Sequence, residues 1–201
     1  RRTRNYGRII SLTKICMLND WGQFYMIYFM KPLPDGKINT DNWEPVIKNQ
    51  WFRNHFMYFV YCLQGMLLLF SIISGAWRFS NAFIKTGFFI GIFIIHEFLH
   101  LIVIYKAGDI SITHSVIFFW ITSGAVLNKL RFFIFMSLPF IGLTVVPAIV
   151  CVFLSGKLKD IMIYIAWVNS IIAGSDIINS IIIAIKPNNA SFYRGYYKTD
   201  F

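Results

Sequence analysis

Acidic residues are scarce in this chain. Asp and Glu together number 9 in 201 residues, whereas Lys and Arg number 19. Charged residues make up 14% of the sequence, below the roughly 25% that is usual for soluble domains. Hydrophobic residues make up 57%. This high hydrophobic content excludes a disordered chain. It also argues against a water-soluble fold, because the surface of such a fold would carry large apolar patches.

Cysteines are also few, and their spacing excludes two further classes. The three cysteines lie far apart in the sequence, so they predict neither a disulfide framework nor a thiolate metal site. The net charge of +10 is not accompanied by a compact basic fold or an RNA-binding aromatic motif. We therefore expect no nucleic-acid partner, and a polytopic membrane protein remains.

Four stretches approach or reach the roughly 20 apolar residues that a helix needs to cross a bilayer. Pro139 and Pro147 are expected to kink the third. The expected fold class is an all-α integral membrane protein with about four transmembrane helices. The predicted spans are residues 56–76, 87–105, 132–154 and 161–185.

Residues 107–128 do not fit this scheme, because they are too polar and β-branched for a confident fifth span. We expect a re-entrant loop or a short hairpin between the second and third spans. Such a segment is tolerated at membrane depth where protein or a wet cavity shields it. Its residues 112–122 could offer an edge to which an extended substrate pairs.

The distribution of basic residues predicts the orientation in a cell membrane. With both termini in the cytoplasm, 15 of the 19 Lys and Arg residues lie on the cytoplasmic side, as the positive-inside rule prefers. The basic and aromatic N-terminal part is expected to contact anionic lipid. The predicted organisation is a cytosolic or interfacial segment (1–54), a transmembrane core (55–185) and a cytosolic tail (186–201).

Two acids lie inside the predicted spans, where a carboxylate costs at least about 2.5–3.5 kcal/mol and is usually functional. The first is Glu97, in the sequence His96-Glu97-Phe98-Leu99-His100. On a helix, His96 and His100 share a face and can bind one Zn²⁺, with Glu97 beside it as general base. The alternative is that both histidines hydrogen-bond neighbouring helices.

The second acid, Asp176, is the expected third ligand, because catalytic zinc usually has three protein ligands. His55 and His114 are weaker candidates for this position, and His114 could instead line the substrate cleft. Asn169 projects from nearly the same face as Asp176. It is predicted either to hold a substrate carbonyl or developing oxyanion or to form an interhelical hydrogen bond.

A His-Glu-x-x-His motif on a membrane helix, an irregular segment and a later aspartate resemble the site-2 class of intramembrane zinc metalloproteases. The sequence Ala173-Gly174-Ser175-Asp176 more closely resembles the second motif of small bacterial membrane proteins described as zincin peptidases. The resemblance covers residues 87–185. It implies a zinc-dependent endopeptidase that cuts a membrane-embedded or membrane-associated peptide or protein, with Glu97 as catalytic residue and His96, His100 and Asp176 as ligands.

Two other classes of function use the same residues differently. A non-proteolytic metal-binding protein would keep the histidines without needing a base. A transporter or peptide-immunity protein would use Glu97 and Asp176 as a proton relay. The sequence leaves the substrate and the oligomeric state open.

Overall fold

The chain divides into two units. The first comprises Arg1–Asn39 and Ile104–Ala125, and the second comprises Thr40–Val103 and Val126–Phe201. The computed structural model describes residues 14–18, 24–33, 42–78, 80–115 and 118–199 of these units.

The second unit is mostly helical, because a backbone in hydrocarbon must satisfy its N–H and C=O groups internally. Three helical stretches are long and apolar enough to cross a membrane, or four if one bent pair forms a single span. The helices are α1 (Gln50–Ile73), α2 (Ala82–Ile104), α3 (Lys129–Phe140), α4 (Val146–Val150), α5 (Gly156–Ile172) and α6 (Gly174–Ala184).

The last two predicted spans are not straight helices. A π-helical turn, Ile141–Val145, joins α3 to α4, between the two prolines that were expected to kink this span. Helices α5 and α6 meet at a 67° bend, with Ala173 between them. The predicted fourth span therefore corresponds to a bent pair of helices, which together are long and apolar enough to form one span. Ile92 of α2 packs with Tyr164 and Val168 of α5.

The expectation of an all-α protein was also wrong. In the second unit, four short strands form a sheet in the order β3-β8-β7-β6. Phe192 and Tyr197 of this sheet pack with Ile183 of α6 in one buried cluster. The strands are β3 (Glu44–Pro45), β6 (Leu127–Asn128), β7 (Ala190–Tyr193) and β8 (Tyr196–Thr199).

The first unit contains the hairpin that was one of the two predicted forms of residues 107–128. Strands β4 (Ile110–Ser115) and β5 (Phe118–Ser123) pair antiparallel. Two N-terminal strands, β1 (Lys14–Leu18) and β2 (Phe24–Phe29), extend the sheet in the order β1-β2-β4-β5. Much of the predicted interfacial segment, including residues 1–13 and 34–41, lies outside the described residues.

Candidate metal centre

Two histidines lie one helical turn apart on α2. Because His96 and His100 are four residues apart, their side chains project from the same face. Their ring centroids lie 4.9 Å apart, and their Nε2 atoms lie 3.2 Å apart. Only 3% of His96 and 6% of His100 is exposed. The pair therefore presents two imidazole nitrogens to the interior of the second unit.

The bend between α5 and α6 is followed by Asp176, which reaches both histidines. Asp176 lies in the first turn of α6, where the helix dipole favours a carboxylate. Its Oδ2 atom lies 3.1 Å from His96 Nε2 and 3.2 Å from His100 Nε2. The residue is 8% exposed. Three potential ligand atoms from two helices thus meet at one buried point.

Hydrogen bonds at Nδ1 determine which nitrogen of each histidine is free. His100 Nδ1 lies 2.6 Å from the carbonyl oxygen of Phe135, which can only accept. His96 Nδ1 lies 2.9 Å from Asn169 Oδ1. The orientation of this amide follows from its other end, because Asn169 Nδ2 donates to the Pro139 carbonyl oxygen at 3.0 Å. In their neutral form both rings therefore carry the proton on Nδ1 and present the Nε2 lone pair to the cluster.

Two Nε2 atoms and one carboxylate oxygen converge on a single buried point, an arrangement that can hold a metal ion. Ligand atoms of a tetrahedral Zn²⁺ at about 2.0–2.1 Å lie about 3.3 Å apart. The observed separations of 3.1–3.2 Å fit this geometry. Within the described residues, His96, His100 and Asp176 are the one such group able to hold a metal ion.

Asn169 is completely buried, and its amide is fully used. Besides the bonds already given, Nδ2 donates to Thr144 Oγ1 at 2.9 Å, and the residue is 0% exposed. The structure therefore contains the interhelical hydrogen bond that was one of the two predicted roles. The other predicted role, binding of a substrate carbonyl or an oxyanion, does not fit this structure, because both amide N–H groups already donate hydrogen bonds.

Sequence reasoning missed the residues that support Asn169 and His100. Thr144 lies in the π-helical turn, and its Oγ1 also donates to the Ala166 carbonyl oxygen at 3.3 Å. The Phe135 carbonyl is a backbone group of α3, so no residue type in the sequence indicates its contact with His100. Thr144 could have been found, because it is one of the few polar residues in the apolar third span. The Phe135 contact could not.

Glu97 adjoins the first histidine on α2 and is half-buried. Within the part of the chain that the structure describes, no group hydrogen-bonds its carboxylate. It differs in this respect from Asp176, which is held between the two histidines. A carboxylate that is near the cluster but not engaged in it can accept a proton, as a general base must.

Of the other two predicted histidines, the structure describes the side chain of His55, which is not part of the cluster. His55 lies on α1, where its Nδ1 contacts the Trp51 carbonyl oxygen at 2.8 Å and its ring stacks on that of Trp51. His114 lies on β4 in the first unit, opposite Phe119. Its side chain lies outside the described residues, so its predicted roles stay predictions.

The family described as "Putative zincin peptidase" matches residues 89–191, about half of the chain, and the match includes both histidines, Glu97 and Asp176. No curated protein and no solved structure matches.

Proposed function

The chain belongs to the putative zincin peptidase family, and from this premise we propose that it is a zinc-dependent endopeptidase whose active site lies within the membrane. The proposed ligands are His96, His100 and Asp176, and the proposed general base is Glu97. The observation that carries the proposal is the buried triangle of two imidazole Nε2 atoms and one carboxylate oxygen, 3.1–3.2 Å apart.

The donor set favours a catalytic site over a structural one. Structural zinc sites usually have four protein ligands, whereas catalytic sites have three and leave one position open. Among the described residues, three side chains form the cluster. The Nδ1–H group of each histidine also donates a hydrogen bond to an oxygen atom. His96 donates to the Asn169 side chain and His100 to the Phe135 carbonyl. Outer hydrogen bonds of this kind orient ligating histidines and raise their basicity.

Zinc bound at this cluster would supply a Lewis acid that polarises a peptide carbonyl and makes water acidic enough to lose a proton near neutral pH. The remaining chemistry belongs to the chain. The Glu97 carboxylate accepts the proton of the attacking water and then donates it to the nitrogen of the leaving amine. The Asn169 and Phe135 oxygens hold the imidazole rings in one tautomer while this happens.

The position of the cluster along α2 supports hydrolysis inside the bilayer. Helix α2 is one of the candidate membrane spans. At a rise of about 1.5 Å per residue, His96 lies about 12 Å and His100 about 6 Å from the end of α2 at Ile104. With both termini in the cytoplasm, this end faces the cytosol. We therefore propose site-2-type cleavage of membrane-embedded or membrane-associated substrates, nearer to the cytosolic leaflet.

The test combines metal analysis with cleavage of synthetic apolar peptides of transmembrane length, reconstituted with the protein in liposomes. Wild-type protein is expected to contain about one zinc per chain and to cut peptides in a reaction that a chelator stops and added Zn²⁺ restores. Glu97→Gln should retain zinc and lose cleavage. Glu44→Gln is the matched control, because Glu44 is the other glutamate of the chain and lies in β3.

Absence of zinc from the wild-type protein would contradict the proposal. Cleavage by Glu97→Gln at the wild-type rate would contradict the role of Glu97. Zinc binding without cleavage of any peptide in the set, in both wild type and Glu97→Gln, would instead favour the non-proteolytic metal-binding alternative.

A further inference from the structure

Gln64 is the one strongly polar side chain within residues 56–70, the apolar part of helix α1. Its Nε2 atom donates a hydrogen bond to the carbonyl oxygen of Ile171 at 2.9 Å. Ile171 lies in the last turn of α5, next to the 67° bend between α5 and α6. An amide moved into an apolar environment costs free energy unless it is hydrogen-bonded. The bend supplies the partner that Gln64 needs.

The same bend exposes backbone that a straight helix would use internally. Sharp kinks occur where a side chain inserts into the helical hydrogen-bond ladder. Here the inserted group is the Gln64 amide, which comes from a neighbouring helix and contacts the backbone two residues before Ala173. The hydrogen bond therefore stabilises the bent form of the α5–α6 pair.

Gly174 allows this approach. A Cβ atom at position 174 would lie 2.7 Å from Gln64 Cγ, a distance that real Cβ contacts essentially never show. Gly174 is buried and begins α6. Gly174 and Gln64 thus pack closely against each other at the first residue of α6, the helix that carries Asp176.

We infer that Gln64 is a positioning residue for the metal centre: by holding the α5–α6 bend, it places Asp176 opposite His96 and His100. Asp176 follows Gly174 by two residues, so a change in the bend moves its carboxylate relative to the imidazole nitrogens of α2. This inference rests on the proposed metal site and adds a residue to it that touches neither the metal nor a substrate.

The test uses Co²⁺ as the probe, because its visible absorption spectrum reports the ligand set. Gln64→Met removes the amide and keeps a similar side-chain length. It is expected to bind Co²⁺ about tenfold more weakly than wild type, within the range for outer residues of metal sites. Its spectrum should shift towards that of Asp176→Ala.

Ser71→Ala is the matched control on the same helix. Ser71 is buried and accepts a hydrogen bond from Trp77 Nε1 at 2.8 Å, and its own hydroxyl donates to the Leu68 carbonyl oxygen of the same helix. The control should lower the thermal stability without changing Co²⁺ affinity or the spectrum. This separates a positioning role from general destabilisation, which would move the melting temperature in both variants.

If Gln64→Met does not fold, Gly174→Ala gives the same comparison by forcing the amide away from Ile171. Wild-type affinity and a wild-type spectrum in the folded variant would overturn the inference while leaving the proposed function intact. Failure of the wild-type protein itself to bind Co²⁺ or Zn²⁺ would contradict both.

Discussion

Replacing Asn169 with alanine should weaken both metal binding and folding, by amounts that follow from its contacts. The change removes the acceptor of the His96 Nδ1–H bond and the donor to the Pro139 carbonyl oxygen. Loss of an outer partner of a ligating histidine costs about 10- to 100-fold in metal affinity. Two buried polar groups left without partners, at about 1–3 kcal/mol each, lower the free energy of unfolding by about 2–6 kcal/mol.

Asn169→Asp separates these two effects. A carboxylate can still accept from His96 Nδ1 and raises the basicity of the ring, but it cannot donate to the Pro139 carbonyl. Zinc affinity should therefore equal or exceed that of wild type while stability falls. Ser170→Ala is the neighbouring control: Ser170 Oγ donates to the Ala166 carbonyl oxygen at 2.7 Å and not to the histidine, so zinc affinity should not change.

The assay is a zinc competition titration against a chromogenic chelator in detergent, with unfolding in denaturant measured in parallel. The reasoning predicts weak binding by Asn169→Ala alone among these three variants. Wild-type zinc affinity in folded Asn169→Ala would refute it, because the orientation of His96 would then not depend on the amide.

Three further predictions concern other side chains. Glu97→Gln should lower the rate of peptide cleavage by about 100- to 10,000-fold, the usual contribution of a general base, with zinc content unchanged by metal analysis. Asp176→Ala should bind Zn²⁺ more weakly than any variant of an outer residue in the same titration, and equal affinity would exclude it as a ligand. Hydrogen bonds from Lys48 and Tyr197 lower the pKa of Glu44. The stability that this carboxylate contributes is therefore present above its unfolded pKa, and it is lost as the pH falls through the folded pKa. Thermal melts at decreasing pH should show this small loss in wild type and not in Glu44→Gln.

The parts of the site that depend on short-range geometry could be predicted from the sequence. The spacing of His96 and His100 determines that they share a helical face whatever surrounds them. Asp176 could be proposed because a carboxylate in an apolar span is costly, and the structure brings it to the histidines. In the fold, the apolar runs predicted helices α1 and α2 and the helical stretch Lys129–Val150, which runs from α3 to α4, to within about six residues of their observed ends.

Features that depend on contacts between distant segments could not be predicted. The sheet of the second unit pairs Glu44 with Tyr197, and strands of two residues carry no periodicity. The bend at Ala173 depends on Gln64, a residue of another helix that interrupts an apolar run without indicating its partner. Asn169 was compatible with two roles, and only its contacts with Pro139 and Thr144 distinguish them.

X-ray absorption spectroscopy at the zinc edge on the purified wild-type protein tests the proposed ligand set directly. We expect a first shell of nitrogen and oxygen only, at about 2.0–2.1 Å, with the scattering signature of two imidazole rings. That signature should fall to one ring in His100→Ala. A shell containing sulfur, or a spectrum that His100→Ala leaves unchanged, would contradict the assignment of His96, His100 and Asp176 as the metal site.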